Sequence, residues 1–125
     1  MAKLPEVVSK AWEEREAVAL LTTVDADGMP IAIYVLYVKK YDEERIVVAD
    51  NYFNKTRANI SNGSKGAFLF ITKEKKSYQI NGRIDYLTSG AIYDDMKKWV
   101  DPKHPAVAAT VVNVEEVYCG GEKLL

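Results

Sequence analysis

Hydrophobic and polar positions follow two different periods along this chain, and the changes of period mark out its elements. Val7, Val8, Ala11 and Trp12 recur at helical spacing and give way to Glu13, Glu14, Arg15 and Glu16, so residues 4–16 read as an amphipathic helix. Residues 17–24 are apolar and rich in Val and Thr, and Asp25-Ala26-Asp27-Gly28 supplies turn chemistry before a long strand over 30–41. Asp42-Glu43-Glu44-Arg45 makes the next turn and 46–49 a third strand, which short connections assemble into an antiparallel meander. A helix over 54–62 stops at Asn62-Gly63. In 65–73 both faces are apolar, with Ala67, Leu69 and Ile71 on one and Gly66, Phe68 and Phe70 on the other, which predicts a strand buried on both sides. Residues 77–87 carry the clearest twofold alternation, Tyr78, Ile80, Gly82, Ile84 and Tyr86 against Gln79, Asn81, Arg83 and Asp85. An amphipathic helix over 90–100 turns Ile92, Met96 and Trp99 or Val100 inward and ends before Pro102 and Pro105; a final strand runs over 106–118.

Three helices and six strands in mostly short antiparallel connections predict a mainly β fold, a small six-stranded antiparallel β-barrel, closed or partly open, with flanking helices. An open six-stranded sheet backed by helices is the competing architecture. The two apolar faces of 65–73 favour the barrel. At 125 residues the chain is expected to be one domain, 1–125.

Charge narrows the function classes. The 17 basic and 18 acidic residues leave a formal charge of −1, so no summed field draws the protein to nucleic acid or to an anionic membrane, and any anion site must be local. The eight tyrosines do not by themselves make a base-stacking platform: on 30–41, Tyr37 and Tyr41 share a face and Tyr34 takes the other, the pattern of core and subunit-interface residues. No signal-peptide core follows Met1, and the longest apolar run, about eight residues, falls short of the roughly twenty that span a bilayer. A cytoplasmic location is expected. One cysteine, Cys119, and one histidine, His104, give neither an internal disulfide nor a metal set, and no nucleophilic triad can be assembled around His104. The acidic runs Asp42-Glu43-Glu44 and Asp94-Asp95 read as solvated surfaces. No catalytic side chain and no metal is expected.

The stretch with the most chemistry is Val47-Val48-Ala49-Asp50-Asn51-Tyr52-Phe53-Asn54-Lys55-Thr56-Arg57-Ala58-Asn59-Ile60, an apolar strand running through a polar, aromatic loop into a helix. Free backbone N–H groups and the dipole at a helix start favour an anion. Lys55 adds a point charge, Thr56 a hydroxyl and Arg57 a second charge, while Tyr52 and Phe53 stand immediately before them, so an aromatic ligand with a phosphate tail finds both parts of its site. The simpler reading is that Asn54 caps the helix and nothing more.

With the preceding Tyr34-Val35-Leu36-Tyr37-Val38-Lys39-Lys40-Tyr41 the order of strand, turn, strand, loop and helix-opening turn resembles the pyridoxamine 5′-phosphate oxidase-like superfamily of FMN-binding split barrels, particularly its short FMN-binding proteins. The resemblance covers most of the chain. It implies FMN held at a homodimer interface, with Lys55 and Thr56 in the phosphate role beside Asn54, Ala49 and Asp50 presenting backbone groups to the flavin ring or ribityl chain, and Tyr52 and Phe53 among the cofactor-binding residues. Lys39 matches the lysine that closes the family's basic strand motif, but Tyr34 stands where the oxidases have an arginine, which weakens the phosphate site or moves the charge to Arg57. The oxidases also carry C-terminal arginine and histidine residues for the substrate phosphate, and this sequence stops after Leu125, so pyridoxamine phosphate oxidation is not expected. The resemblance implies a redox protein transferring electrons or hydride, with NAD(P)H or a protein as redox partner. The alternatives are an NAD(P)H-dependent flavin, nitro- or quinone reductase, or a non-catalytic module for flavin, haem or a deazaflavin.

Overall fold

In the computed structural model, which describes residues 2–125, the elements in chain order are α1 (Glu6–Trp12), β1 (Ala19–Val24), β2 (Pro30–Val35), β3 (Val38–Asp42), β4 (Arg45–Asp50), α2 (Lys55–Ser61), β5 (Gly66–Ile71), β6 (Ser77–Gly82), β7 (Ile84–Leu87), α3 (Ala91–Trp99), β8 (Ala108–Asn113), β9 (Glu116–Cys119) and β10 (Glu122–Lys123). The chain is mainly β, with two antiparallel sheets in the orders β10-β9-β6-β5-β1-β2 and β3-β4-β8-β7. The expectation of six strands in a barrel is corrected on both counts. Among the described residues there are ten strands, and the sheets are separate rather than closed into one barrel.

The difference has one cause. Each of the three long strands read from the sequence is broken where the chain leaves one sheet for the other: at Leu36 and Tyr37 between β2 and β3, at Arg83 between β6 and β7, and at Val114 and Glu115 between β8 and β9. The meander is likewise two hairpins, β1 with β2 and β3 with β4, assigned to different sheets. The second and third crossings lie side by side. Asn113 N–H and Nδ2 both donate to Arg83 O at 2.9 Å, and Glu115 N–H donates to Asn81 O at 3.0 Å.

Two apolar clusters follow from this layout. Ile46, Val48 and Val112 point between the sheets and meet Leu21, Phe68, Phe70 and Ile80, with Val8, Ala11 and Trp12 of α1 joining the same core; Trp12 lies 5.6 Å from Phe68 and 5.3 Å from Phe70, ring centre to ring centre. Val47, Ala49, Ala109 and Val111 point the other way, onto Met96 and Val100 at the end of α3. The strands buried on both faces are therefore β4 and β8, not the 65–73 strand. In β5 only Gly66, Phe68 and Phe70 are buried, while Ala67, Leu69 and Ile71 are partly exposed.

Helix α1 is shorter than the 4–16 reading. Pro5 sits at its N-cap, where a missing N–H costs nothing, and the acidic run after Trp12 opposes the negative end of the dipole. Arg15 leaves the helix to lie over the Trp12 ring at 4.6 Å and to bridge to Thr72. No helix among the described residues is long and apolar enough to cross a membrane.

Candidate functional site

A cleft of about 970 Å³ opens beside the first crossing, where β2 ends, and the loop between β4 and α2 runs along it. Its walls are largely apolar, with Val18, Ile31, Ile33 and Leu36 on the sheet side and Phe53 on the loop side. That is the usual make-up of a cofactor site, apolar walls with a few placed polar groups. Tyr34, Leu36 and Tyr52 are 78%, 61% and 70% exposed, so large apolar surface rims the opening.

Of the residues expected from the sequence, the structure places Ala49, Tyr52, Phe53, Asn54, Lys55 and Thr56 on the cleft. Asn54 makes no side-chain capping bond to α2, so capping alone does not account for it. Among the described residues, Lys55 is the one on the cleft with a permanent charge; its Nζ lies 3.6 Å from Asp25 Oδ2 on the β1–β2 turn. The Asp25 carboxyl is held below the usual carboxylate range by the N–H of Met29, with the N–H of Asp27 and Lys55 adding to the effect. Thr56 is the most telling member. Its Oγ1 is buried and has no hydrogen-bond partner among the described residues, an arrangement that is costly unless a ligand supplies the partner.

Two expected residues lie elsewhere. Lys39 is paired with Asp95 of α3 at 2.9 Å, and Asp95 also accepts from Trp99 Nε1 at 3.1 Å, on a separate hollow of about 350 Å³. Asp50 is fully buried at the end of β4, and its carboxylate takes Arg57 Nε at 2.8 Å, Arg57 Nη2 at 2.9 Å, the Phe53 N–H at 3.0 Å and the Tyr86 hydroxyl. Arg57 is thereby committed to Asp50 and is not on the cleft wall. Its hydrogen bonds to Asp50 and then to Tyr86 hold the guanidinium charged more firmly than usual, while burial and the bond to Asp50 push the Tyr86 phenol up.

Sequence reasoning missed His104. It stands on the cleft from the loop between α3 and β8, with Nδ1 3.0 Å from the Tyr52 hydroxyl and its ring edge-on to Tyr37 at 5.0 Å. The loop is fixed there by Asn51, whose Oδ1 accepts the Ala106 N–H at 2.9 Å, and by Asp50 O, which accepts the Val107 N–H at 2.8 Å. Ala106 takes φ +42° to make that bond, a left-handed conformation that costs about 1 kcal/mol in a residue with a Cβ. The signal was weak: a Pro-bounded His, 52 residues from its partner. Among the described residues no three His, Cys, Asp or Glu side chains converge as a metal site.

Residues 5–119 match the family described as Pyridoxamine 5′-phosphate oxidase. The chain belongs to this family. An uncharacterized protein of Methanocaldococcus jannaschii is 28% identical over 123 residues, covering 94% of this chain and 81% of that protein. HupZ of Group A Streptococcus superposes with a TM-score of 0.78 at 25% identity, covering 93% of each chain. An FMN-binding protein of Syntrophomonas wolfei superposes with a TM-score of 0.79 at 21% identity, covering 91% of this chain and 86% of its own. The fold described above is thus shared with these solved structures, one of which is an FMN-binding protein.

Proposed function

We propose that this protein binds FMN noncovalently and works as a redox protein, transferring electrons or hydride. The observation that carries the reading is Thr56 Oγ1, buried and partnerless on the same cleft as Lys55 and the opening turn of α2. A phosphate oxygen supplies the missing acceptor for that hydroxyl, the Lys55 ammonium supplies charge, and the first N–H groups of the helix have no partners within it. The apolar walls and Tyr52, Phe53 and Tyr37 suit a flat aromatic ring and keep water from it. Tyr34, in place of the family's arginine, leaves one full charge for the phosphate.

FMN, when bound, supplies the redox chemistry, and the side chains around it bind, orient and exclude water. Ala49 offers backbone beside the walls, and the Tyr52–His104 pair presents the cleft's polar edge. The resemblance to the family supports a homodimer with the flavin between subunits, and the exposed Tyr34 and Leu36 at the rim suit burial by a second copy. A single partly buried cysteine, Cys119, suits a reducing, cytoplasmic setting.

The test is the purified protein's absorption spectrum before and after addition of NAD(P)H. A bound flavin spectrum is expected; bleaching by NADPH identifies NADPH as a direct electron donor, and an unchanged oxidised spectrum removes it as one. A haem spectrum, or a colourless protein that takes up no flavin, contradicts the proposal.

Asp25 competes with the ligand phosphate for Lys55. Asp25→Asn is therefore expected to tighten FMN by about threefold or less, the scale of an exposed ion pair, measurable by flavin fluorescence titration.

A further inference from the structure

We propose that Asp50 is a positioning residue for the ligand-binding turn, acting through Arg57 and Tyr86 to hold Lys55 and Thr56 in place. Resting on the FMN reading above, the inference concerns what builds the site rather than what touches the ligand.

The geometry is a closed clasp. Asp50 ends β4 and Arg57 lies in the first turns of α2, so the two-toothed ion pair between them ties together the ends of the segment that contains Asn54, Lys55 and Thr56. The same carboxylate accepts the Phe53 N–H from inside the segment and the Tyr86 hydroxyl from β7, on the far side of β8 in the same sheet, and the Tyr86 hydroxyl oxygen lies 3.2 Å from Arg57 Nε. A fully buried carboxylate is tolerable only when paired and hydrogen-bonded this completely. The outer side of the segment is tied as well: Asp50 O accepts from Val107 and Asn51 Oδ1 from Ala106.

Thr56 lies directly before Arg57, and its buried hydroxyl has no bond of its own to fix it. The clasp sets its direction. Arg57 thus contributes orientation, not phosphate charge, because both of its bonded nitrogens face Asp50 and its side chain is absent from the cleft wall. An ammonium cannot replace it, since a point charge cannot span two carboxylate oxygens in a fixed plane.

The test compares FMN with riboflavin, which has the same ring system and no phosphate, by fluorescence titration of wild type, Arg57→Lys and Tyr86→Phe, with melting temperatures alongside. Wild type is expected to prefer FMN. In Arg57→Lys the FMN affinity is expected to fall about tenfold or more, the usual effect of removing a group that orients a ligating residue, while riboflavin affinity stays within about twofold. Tyr86→Phe, which keeps every charge, shifts the ratio in the same direction by a smaller factor and decides the matter if Arg57→Lys does not fold. A ratio unchanged in the folded variants, with both flavins weakened equally or not at all, overturns the positioning role while leaving FMN binding intact. Wild-type protein that binds neither flavin overturns both readings.

Discussion

Replacing Lys55 and Thr56 together with alanine is expected to lower the affinity for FMN by about 3 kcal/mol, roughly a hundredfold, and to leave riboflavin binding nearly unchanged. The magnitude follows from what each side chain contributes. A hydrogen bond to a charged group is worth about 1.5–3 kcal/mol, and the Lys55 value falls at the low end because its side chain is 53% exposed and Asp25 already stands beside it. Thr56 is expected to contribute more than an exposed threonine would, because its hydroxyl is buried without a partner among the described residues and would gain one on binding without losing a bond to water. Removing the hydroxyl also relieves a buried unsatisfied group. Thr56→Val alone is therefore expected to leave the free protein as stable or slightly more so while weakening FMN, a pairing of effects that a purely structural threonine does not give. Titration of both flavins, with urea unfolding of the apo-protein, checks each part.

The largest effect on stability is expected at Gly82. A Cβ there would stand 1.6 Å from Asn113 O and 2.8 Å from Asn113 C, both backbone atoms. Neither strand can yield. Gly82 is held opposite Gly66 in the β5–β6 ladder, and Asn113 is held by its N–H and Nδ2 on Arg83 O and by Nδ2 on Asp85 Oδ2 at 3.0 Å. Gly82→Ala must separate the two crossings that carry β6 into β7 and β8 into β9, and is expected to cost about 4 kcal/mol or more, enough to unfold a protein of ordinary stability. Gly66→Ala is the control. Its added Cβ meets the Ile84 side chain at 2.6 Å, and a side chain can rotate where a carbonyl cannot, so a loss of about 1–3 kcal/mol is expected. Urea unfolding curves of the two variants, compared with wild type, give the order directly.

Gly82 also shows why the strand count was not legible. The alternation over 77–87 continues without a fault across Arg83, since a chain that stays extended keeps its twofold period even while it changes sheets. The break is set by Asn113, about thirty residues away, and local pattern cannot register a partner at that distance. The same holds at Leu36 and Tyr37. The outward face of β4 and β8 was hidden for a related reason: runs such as Ile46-Val47-Val48-Ala49 say that both faces are covered, but only the docking of Met96 and Val100 says by what.

The lining of the cleft was more legible than the sheets because much of it is contiguous. Asn54, Lys55 and Thr56, with Tyr52 and Phe53 ahead of them, reach the cleft from one loop and need no long-range pairing to be seen together. What escaped were the groups that arrive from elsewhere or turn away. His104 reaches Tyr52 from the far side of α3, Lys39 turns to Asp95, and Asp50 and Arg57 turn to each other, although as charges in the sequence the last two look as available as Lys55.

Whether this cleft holds the phosphate of FMN is tested by titration of FMN into the purified apo-protein, followed by flavin fluorescence, with riboflavin in parallel. Saturable binding of FMN, tighter than that of riboflavin by a margin that the Lys55→Ala, Thr56→Ala double variant abolishes, is the expected result. Equal affinity for the two flavins in wild type, or a margin that survives the double variant, contradicts it.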